Sequence, residues 1–228
     1  MNSTSQGAGP TGLPLQQNES LAEQAYRLLE EMIVTLQLAP GAVLTEGDLS
    51  EKLNIGRTPI REALQRLSSE HLVTTMPRRG IIVTEINIPE HLALLETRRV
   101  LDRLIASRAA RRATEEQKIA LRNLGDKMMQ AAAIPDVAEF MRLDSEADHI
   151  LEQASRNIFA IRATAPLHTH CRRFWYMYQE NGDLKLSAEL HAAVFKAVAE
   201  ADVSRAAEAS DNLLNYLERV TRMTLENY

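Results

Sequence analysis

The first part of the chain places apolar residues three or four positions apart, which is the spacing of an amphipathic helix. This stripe extends from Leu21 to Leu36 and stops at Pro40 and Gly41, two residue types that end helices. The apolar pair at 43–44 predicts a short extended segment, and Thr45 can cap a second helix directly after it. The pattern therefore predicts a helix, a short strand and a second helix in succession.

A third helix follows the tight turn at 54–56, and its two faces differ in chemistry. Thr58 and Pro59 suit a helix start, because proline at an early helical position costs no hydrogen bond. The apolar face consists of Ile60, Ala63, Leu64 and Leu67. The other face carries Arg57, Arg61 and Gln65 one turn apart, where they can reach phosphates or the acceptor edge of guanine in a major groove. Two helices joined by a tight turn predict a helix-turn-helix that binds nucleic acid.

Two β-rich runs come next, at 72–76 and 81–84, and Pro77-Arg78-Arg79-Gly80 separates them. They predict a hairpin with a basic tip, which is the wing of a winged helix-turn-helix. Arginines at 57, 61, 66, 78 and 79 cluster in this region, although the whole chain has a net charge of -5 and a pI near 5.7. We therefore expect contact with nucleic acid to be local and sensitive to salt.

Helical patterns fill the rest of the chain. Helix starts are indicated at Pro89, Thr114, Pro135, Asn157, Asp183 and Asp202. The predicted fold class is mainly α, with an N-terminal winged helix-turn-helix over 19–86 and a C-terminal all-α antiparallel bundle of about six helices over 89–228. Residues 1–18 are rich in Gly, Ser, Thr, Gln and Pro and predict a disordered arm, not a signal peptide.

Composition narrows the class and the compartment. The 228 residues are 45% hydrophobic, which is enough for two cores of ordinary domain size. Charged residues interrupt every long apolar stretch, so no membrane partner is expected. The single Cys171 excludes an intramolecular disulfide and is compatible with a reducing compartment, so we expect a cytoplasmic protein.

The N-terminal motifs resemble those of the GntR family of bacterial transcription regulators. The resemblance rests on Gly41, Leu44, Glu46 and Leu49, on the run from Arg57 to Leu67, and on Leu72-Val73 with the basic tip. It implies a homodimer whose two heads bind a palindromic double-stranded DNA operator. It also implies that Arg57 and Arg61 contact bases, that Thr58 contacts phosphate, and that Gly80 lets the backbone approach the minor groove. The DNA-binding residues expected on this basis are Arg57, Thr58, Arg61, Gln65, Arg66, Arg79 and Gly80.

Two positions depart from the pattern of that family. Gly56 stands where the family usually has Ser or Thr, which removes a possible helix cap and phosphate contact. His71 stands where the family usually has Gly, which tightens the turn before the wing.

The helical remainder is similar to the FCD ligand-binding domain of the FadR-type branch. The similarity implies a small effector held in the bundle, whose binding alters the spacing of the two DNA-binding heads. A carboxylate is favoured, because the Arg98 guanidinium can grip one with two hydrogen bonds. The expected effector-binding residues are Arg98, Asp102, Asp144, His170 and His191.

The same resemblance implies a divalent metal such as Zn, Ni or Mn, held by an Asp, a His one turn later and two further His residues. Asp144 and His191 match this pattern, whereas Asp148 replaces the first His and Leu213 occupies the place of the last. The candidate metal ligands are therefore Asp144, Asp148 and His191. A metal-free pocket, or a buried network of Arg98 with carboxylates, is the alternative.

The sequence thus predicts a DNA-binding transcription regulator, most simply a repressor, that a small organic acid controls and that is not an enzyme. One alternative is a metal-dependent hydrolase built on Asp144, Asp148 and His191. The chain offers that alternative no positioned nucleophile, glycine-rich phosphate loop or metalloprotease motif. The other alternative is an architectural DNA binder whose bundle takes no effector.

Overall fold

The N-terminal helices begin at caps that the sequence provides. A computed structural model describes residues 19–227, so the predicted arm at 1–18 lies outside the described residues. Ser20 and Glu23 form a capping box at the start of the first helix, and Thr45 caps the second. The three helices are α1 (Leu21–Val34), α2 (Glu46–Leu53) and α3 (Arg57–Ser69). The first helix ends before the predicted Leu36, because Leu36 takes a left-handed conformation with φ of 60°.

Three short strands form the wing. They are β1 (Val43–Leu44), β2 (Val73–Met76) and β3 (Gly80–Val83). All pairs are antiparallel and β3 lies in the middle, with Val43 opposite Ile82 on one side and Thr75 opposite Ile81 on the other. The extended segment predicted before α2 therefore completes the sheet of the hairpin that follows α3.

The apolar stripes of α1 and α3 meet in one core beneath this sheet. Its fully buried members include Ala25, Leu29, Ile33, Ile60, Leu67, Leu72 and Val83. Burying each leucine, isoleucine or valine side chain contributes about 1.5–3 kcal/mol to stability. The apolar face of α3 is thus fixed inward, and its arginine face is left on the surface.

Six further helices form the bundle and confirm the mainly α fold class. They are α4 (Ile88–Arg112), α5 (Glu115–Ala133), α6 (Val137–Ser155), α7 (Ile158–Tyr178), α8 (Leu184–Ala199) and α9 (Val203–Glu226). Their N-caps are Asn87, Thr114, Asp136, Asn157, Asp183 and Asp202. The two prolines expected at helix starts lie within two residues of the cap: Pro89 is the second residue of α4, and Pro135 directly precedes the cap Asp136.

The helix α7 connects the two parts of the molecule. It packs against α4 and α6 in the bundle and against α1 of the winged helix. Within residues 19–227, no helix combines the length and the apolar character that crossing a membrane would need. The position of α7 gives one of its faces access to the bundle interior and another access to the DNA-binding head.

Candidate nucleic-acid interface and effector pocket

The helix α3 presents a row of polar side chains to solvent. Arg57, Thr58, Arg61 and Gln65 are all exposed. Gly56 occupies the N-cap and supplies no side-chain hydrogen bond there, so the first turn of α3 keeps free backbone N–H groups. Free N–H groups at a helix start favour a phosphate. The row and the helix start together form a surface suited to a DNA groove and its backbone.

Glu46 holds one of these arginines in place. The Arg61 guanidinium donates two hydrogen bonds to the Glu46 carboxylate, at 2.7 and 2.6 Å. The charge of Arg57 also acts on Glu46, whose pKa is lowered first by the hydrogen bond from Arg61. Glu46 therefore orients Arg61 at the protein surface in the absence of DNA. A DNA base that contacts Arg61 must bind it beside the Glu46 carboxylate or in its place.

Arg66 makes contacts within the protein that the sequence did not indicate. Its guanidinium lies 3.5 Å from the centre of the Tyr26 ring and donates to Glu70 at 3.1 Å. The hydroxyl of Tyr26 also donates to Glu70, at 2.7 Å. These contacts tie α3 to α1, so Arg66 has a structural role besides the DNA contact that the sequence analysis expected.

The tip of the wing has the backbone conformation that requires glycine. Gly80 has φ of 90°, and Arg78 also lies in the left-handed region at 64°. Arg79, between them, is exposed. At the other end of β2, His71 takes φ of 61°, a conformation that glycine adopts without strain and histidine does not. The histidine that stands here in place of the family's usual glycine therefore strains the backbone before the wing.

In the bundle, charged side chains of opposite sign alternate along a buried chain. Arg98 donates to Asp102 at 3.0 Å, one helical turn away on α4. The other oxygen of Asp102 lies 3.0 Å from Nε2 of His168 on α7. Nδ1 of the same ring lies 3.0 Å from the carboxylate of Asp148 on α6. Arg98 is thus already paired with Asp102, and a ligand carboxylate that binds Arg98 has to replace that partner.

The chain of charges continues across α6 and α8. The Arg172 guanidinium lies 3.0 Å from the Asp148 carboxylate and 3.9 Å from that of Asp144. Asp144 also lies 3.1 Å from Nε2 of His191, whose Nδ1 is 2.7 Å from the Ser187 carbonyl oxygen. The pairing of aspartates with these cations offsets the cost of taking their charges out of water.

The carboxylates around His168 make it a cation at neutral pH. Burial and the nearby Arg98 lower the pKa of His168, but Asp148 and Asp102 outweigh them and raise this pKa to about 9. Burial and the neighbouring Asp148 raise the pKa of Glu152 to about 7. The Glu152 carboxylate lies 3.6 Å from Nδ1 of His168. The pocket therefore contains a charged imidazole next to a carboxyl group that titrates near neutrality.

The Asp144 and His191 pair favours its charged form. Burial raises the pKa of Asp144, yet the hydrogen bond and charge of His191 outweigh burial and hold this pKa below its usual range. Burial lowers the pKa of His191, and Asp144 reverses that effect and raises it. The two groups stabilise each other as an ion pair.

Two small cavities flank the chain of charges. Each has a volume of about 40 Å³, and both are lined by Arg98, Asp148, His168 and His191. Cavities of this size hold one or two water molecules, whereas typical ligand pockets measure about 300–1,000 Å³. Trp175 lines the second cavity, and its buried indole N–H has no hydrogen-bond partner among the described residues. An effector must therefore be small or must displace side chains such as Arg172 on entry.

His170 does not lie in this pocket, contrary to the sequence analysis. Its Nε2 lies 2.8 Å from the backbone carbonyl oxygen of Glu70, at the end of α3. His168 occupies the place that was expected for His170. Residues two apart on a helix point about 200° away from each other, so only one of these two histidines can face the bundle interior.

A second face of α7 fastens the DNA-binding head. Thr169 donates a hydrogen bond to Glu30 of α1, and Arg173, which is only 2% exposed, donates to the side chain and the carbonyl oxygen of Thr84 at the end of the wing. Arg172 donates to Thr169 at 3.4 Å. This contact joins the pocket face of α7 to the face that holds the head.

The three candidate metal ligands do not form one ligand set. Asp144 pairs with His191, and Asp148 pairs with His168 and Arg172. Among the residues that the structure describes, no group of three or more His, Cys, Asp or Glu side chains is arranged to hold a metal ion. The exposed His149 lies on the other side of α6 and contacts Gln153.

Comparison with known families agrees with this geometry. Residues 21–83 match the gntR family of bacterial regulatory proteins, and residues 93–216 match the FCD domain. The chain belongs to the GntR family. It is a DNA-binding transcription regulator with an FCD domain, as the sequence analysis predicted.

Two characterised relatives match this chain over most of its length. The HTH-type transcriptional repressor RspR of Escherichia coli K12 is 26% identical over 215 residues, which cover 93% of this chain and 94% of RspR. The Nta operon transcriptional regulator of Aminobacter aminovorans is 27% identical over 170 residues, or 74% of this chain and 79% of that protein. Among solved structures, E. coli McbR/YncC has a TM-score of 0.79 at 19% identity and covers 92% of this chain and 100% of its own. This last similarity supports the fold alone.

The FCD domain contains two functional candidates that the sequence analysis missed. His168 and Arg172 stand one turn apart on α7 and contribute the two central cations of the pocket. Their i, i+4 spacing was visible in the sequence. The sequence did not show that both side chains lie opposite the aspartates of α6.

Proposed function

We propose that this chain is an effector-controlled repressor that binds a palindromic operator as a homodimer in the cytoplasm. The observation that carries the DNA-binding part is the exposed row of Arg57, Arg61 and Gln65 on α3, next to a wing with Arg79 and Gly80 at its tip. Two-fold symmetry in a dimer places two such helices about one helical turn of DNA apart. Thr58 and Arg79 are the phosphate and groove contacts in this proposal. The description of RspR as a repressor supports the sign of control.

We propose a small organic acid as the effector, bound by the cations of the FCD pocket. Arg98, Arg172 and His168 offer charge-assisted hydrogen bonds to a carboxylate, and each of them already pairs with an acidic side chain. The effector carboxylate would replace one of these protein carboxylates. Trp175 of α7 and Phe140 of α6 line the second cavity and favour an aromatic acid, whereas Phe174 stacks on His91 outside it.

The contacts of α7 supply a route from the pocket to the DNA. A carboxylate that draws Arg172 away from Asp148 also acts on Thr169, which holds α1 through Glu30. A shift of α7 would reposition the head through Thr169 and Arg173 together. The spacing of the two recognition helices, and hence operator affinity, then depends on the pocket.

The DNA-binding proposal is tested by removing the two arginines of the row. The operator is first selected with the wild-type protein from a random duplex library, and affinity is then measured by fluorescence anisotropy at fixed salt. Loss of a bidentate contact to guanine costs about 1–3 kcal/mol, so Arg57→Ala with Arg61→Ala should weaken specific binding by at least about 30-fold.

A charge-matched variant provides the control. Arg111 and Arg112 are exposed at the end of α4, so Arg111→Ala with Arg112→Ala removes the same charge away from α3. This control should retain specific binding. Specific binding that survives in the α3 variant, with circular dichroism showing both variants folded, would refute the proposed recognition helix.

The effector proposal is tested with a panel of aliphatic and aromatic carboxylic acids and their neutral amides. Trp175 is the only tryptophan of the chain and lines the pocket, so its fluorescence reports ligand entry directly. We expect an acid to raise the melting temperature and change this emission, and Arg98→Gln to abolish both effects. Shifts produced by the amides and by none of the acids would reject a carboxylate effector.

A further inference from the structure

A guanidinium occupies the space between the two aspartates that α6 points into the pocket. Asp144 and Asp148 stand one turn apart, and Arg172 of α7 lies 3.9 and 3.0 Å from their carboxylates. We propose that Arg172 is a built-in cation that replaces a divalent metal in this FCD domain, so that the pocket binds its effector without metal. This inference rests on the proposed effector function, because it concerns the same pocket.

The donor atoms around Arg172 do not fit a metal. The ligand pattern implied by the family resemblance needs four side chains, and this chain supplies only Asp144 and His191 unchanged. At the position of the last histidine stands Leu213, which is 8% exposed, lines the cavity beside His191 and has no donor atom. Tetrahedral sites in proteins use three or four protein ligands about 2.0–2.3 Å from the metal. Here the closest partners of Asp148 are cations at 3.0 Å.

Two guanidinium groups already neutralise carboxylates of the pocket without a metal. Arg98 pairs with Asp102, and Arg172 lies between Asp144 and Asp148. A dication near Asp148 would stand beside both the Arg172 guanidinium and the His168 ring. Like charges at such distances repel strongly in a partly buried site. Arg172 and a metal ion therefore compete for the same carboxylates.

The built-in cation also defines the chemistry of the ligand. A guanidinium binds one carboxylate through two parallel hydrogen bonds, and Asp148 currently fills that role for Arg172. An effector carboxylate can take the place of Asp148, whereas a metal-chelating group finds no metal to bind. Plain carboxylates should therefore bind as well as 2-hydroxy acids, which chelate divalent metals.

Zinc itself is the probe for this proposal, so the result does not depend on finding the effector. Full-length protein is treated with a chelator, dialysed and titrated with Zn²⁺ against a chromophoric competitor. The titration compares three proteins: the wild type, Asp144→Asn, and a triple variant with Asp148→His, Arg172→Met and Leu213→His. The triple variant restores the implied ligand set and removes the competing cation. We expect it to bind one additional Zn²⁺ per chain, at least about tenfold more tightly than any site in wild type.

The wild-type protein decides the question even if the triple variant fails to fold. Zinc binding that is equal in wild type and Asp144→Asn supports the proposal, because any bound metal then lies outside the pocket. One tight Zn²⁺ per wild-type chain that Asp144→Asn loses would overturn it. A triple variant that is folded by circular dichroism but gains no zinc site would also count against the proposed geometry.

A carboxylic acid that binds equally before and after chelation would support the metal-free pocket. If no organic acid binds in either state, only the effector proposal is contradicted.

Discussion

Two pairs of arginines, Arg57 with Arg61 on α3 and Arg172 with Arg173 on α7, differ in how far the fold encloses them. The α3 pair is exposed, and the Arg61 side chain retains 57% of its accessible surface although Glu46 binds it. The α7 pair is enclosed, since Arg172 retains 15% of its side-chain surface and Arg173 is 2% exposed as a residue. Exposed arginines remain available to an outside partner, and enclosed arginines satisfy partners inside the protein.

This difference determines what each pair contributes to stability. An exposed ion pair such as Arg61 with Glu46 is screened by water and salt, so its loss changes folding little. A buried charge that loses its partner remains unpaired in a medium of low polarity, which is costly. Surface charges of the head can therefore serve DNA recognition at little cost in stability. In the pocket, each buried charge needs a partner of opposite charge, so a ligand carboxylate can bind only by replacing a protein carboxylate.

Matched carboxylate-to-amide changes test this contrast most strongly. Asp148→Asn deprives Arg172 and His168 of a shared counter-charge and should lower the free energy of unfolding by about 3 kcal/mol, the lower end expected for breaking a buried pair. Glu46→Gln makes the same chemical change beside the exposed Arg61 and should leave that free energy unchanged within error. Urea unfolding followed by circular dichroism measures both. Equal losses in the two variants would show that the contrast between head and pocket is wrong.

The recognition helix could be predicted from sequence because its determinants are local. Helical spacing alone assigns Ile60 and Leu67 inward and Arg57 and Arg61 outward, and the structure shows both assignments. Fold class, wing and helix caps were predictable for the same reason. The Arg66 contact with Tyr26 was not, because it joins residues of two different helices that lie far apart in sequence.

The pocket could be predicted only in part. Periodicity along α6 and α4 brings Asp144 and Asp102 toward the interior, but it does not say which charges on other helices they meet. The choice between His168 and His170 depended on the rotation of α7, which Thr169 and Arg173 fix through contacts with the head. Those contacts lie far apart in sequence, so no local pattern indicates them.

A smaller, pH-dependent effect separates the pocket from the surface in a second way. The folded-state pKa of His168 is raised to about 9 from an ordinary value of 6.5. The stability that this proton contributes is therefore complete below pH 6.5 and is lost as the pH rises through 9. Wild-type protein should lose up to about 1.4 kcal/mol per pH unit between pH 7 and 9. The raised pKa of His191 also makes stability fall as the pH rises. The pKa of Glu152 is raised to about 7, so its effect on stability falls mostly below pH 7.

The comparison that isolates His168 uses two histidine-to-glutamine variants in urea unfolding series at pH 7, 8 and 9. His168→Gln should be less stable at pH 7 and should show a flatter decline toward pH 9, because the neutral side chain has no proton to release. His149→Gln changes an exposed residue that contacts Gln153 on the outer side of α6, and it should follow the wild-type decline. If His168→Gln instead keeps the full wild-type slope, the charged imidazole between Asp102 and Asp148 is not what links this fold to pH.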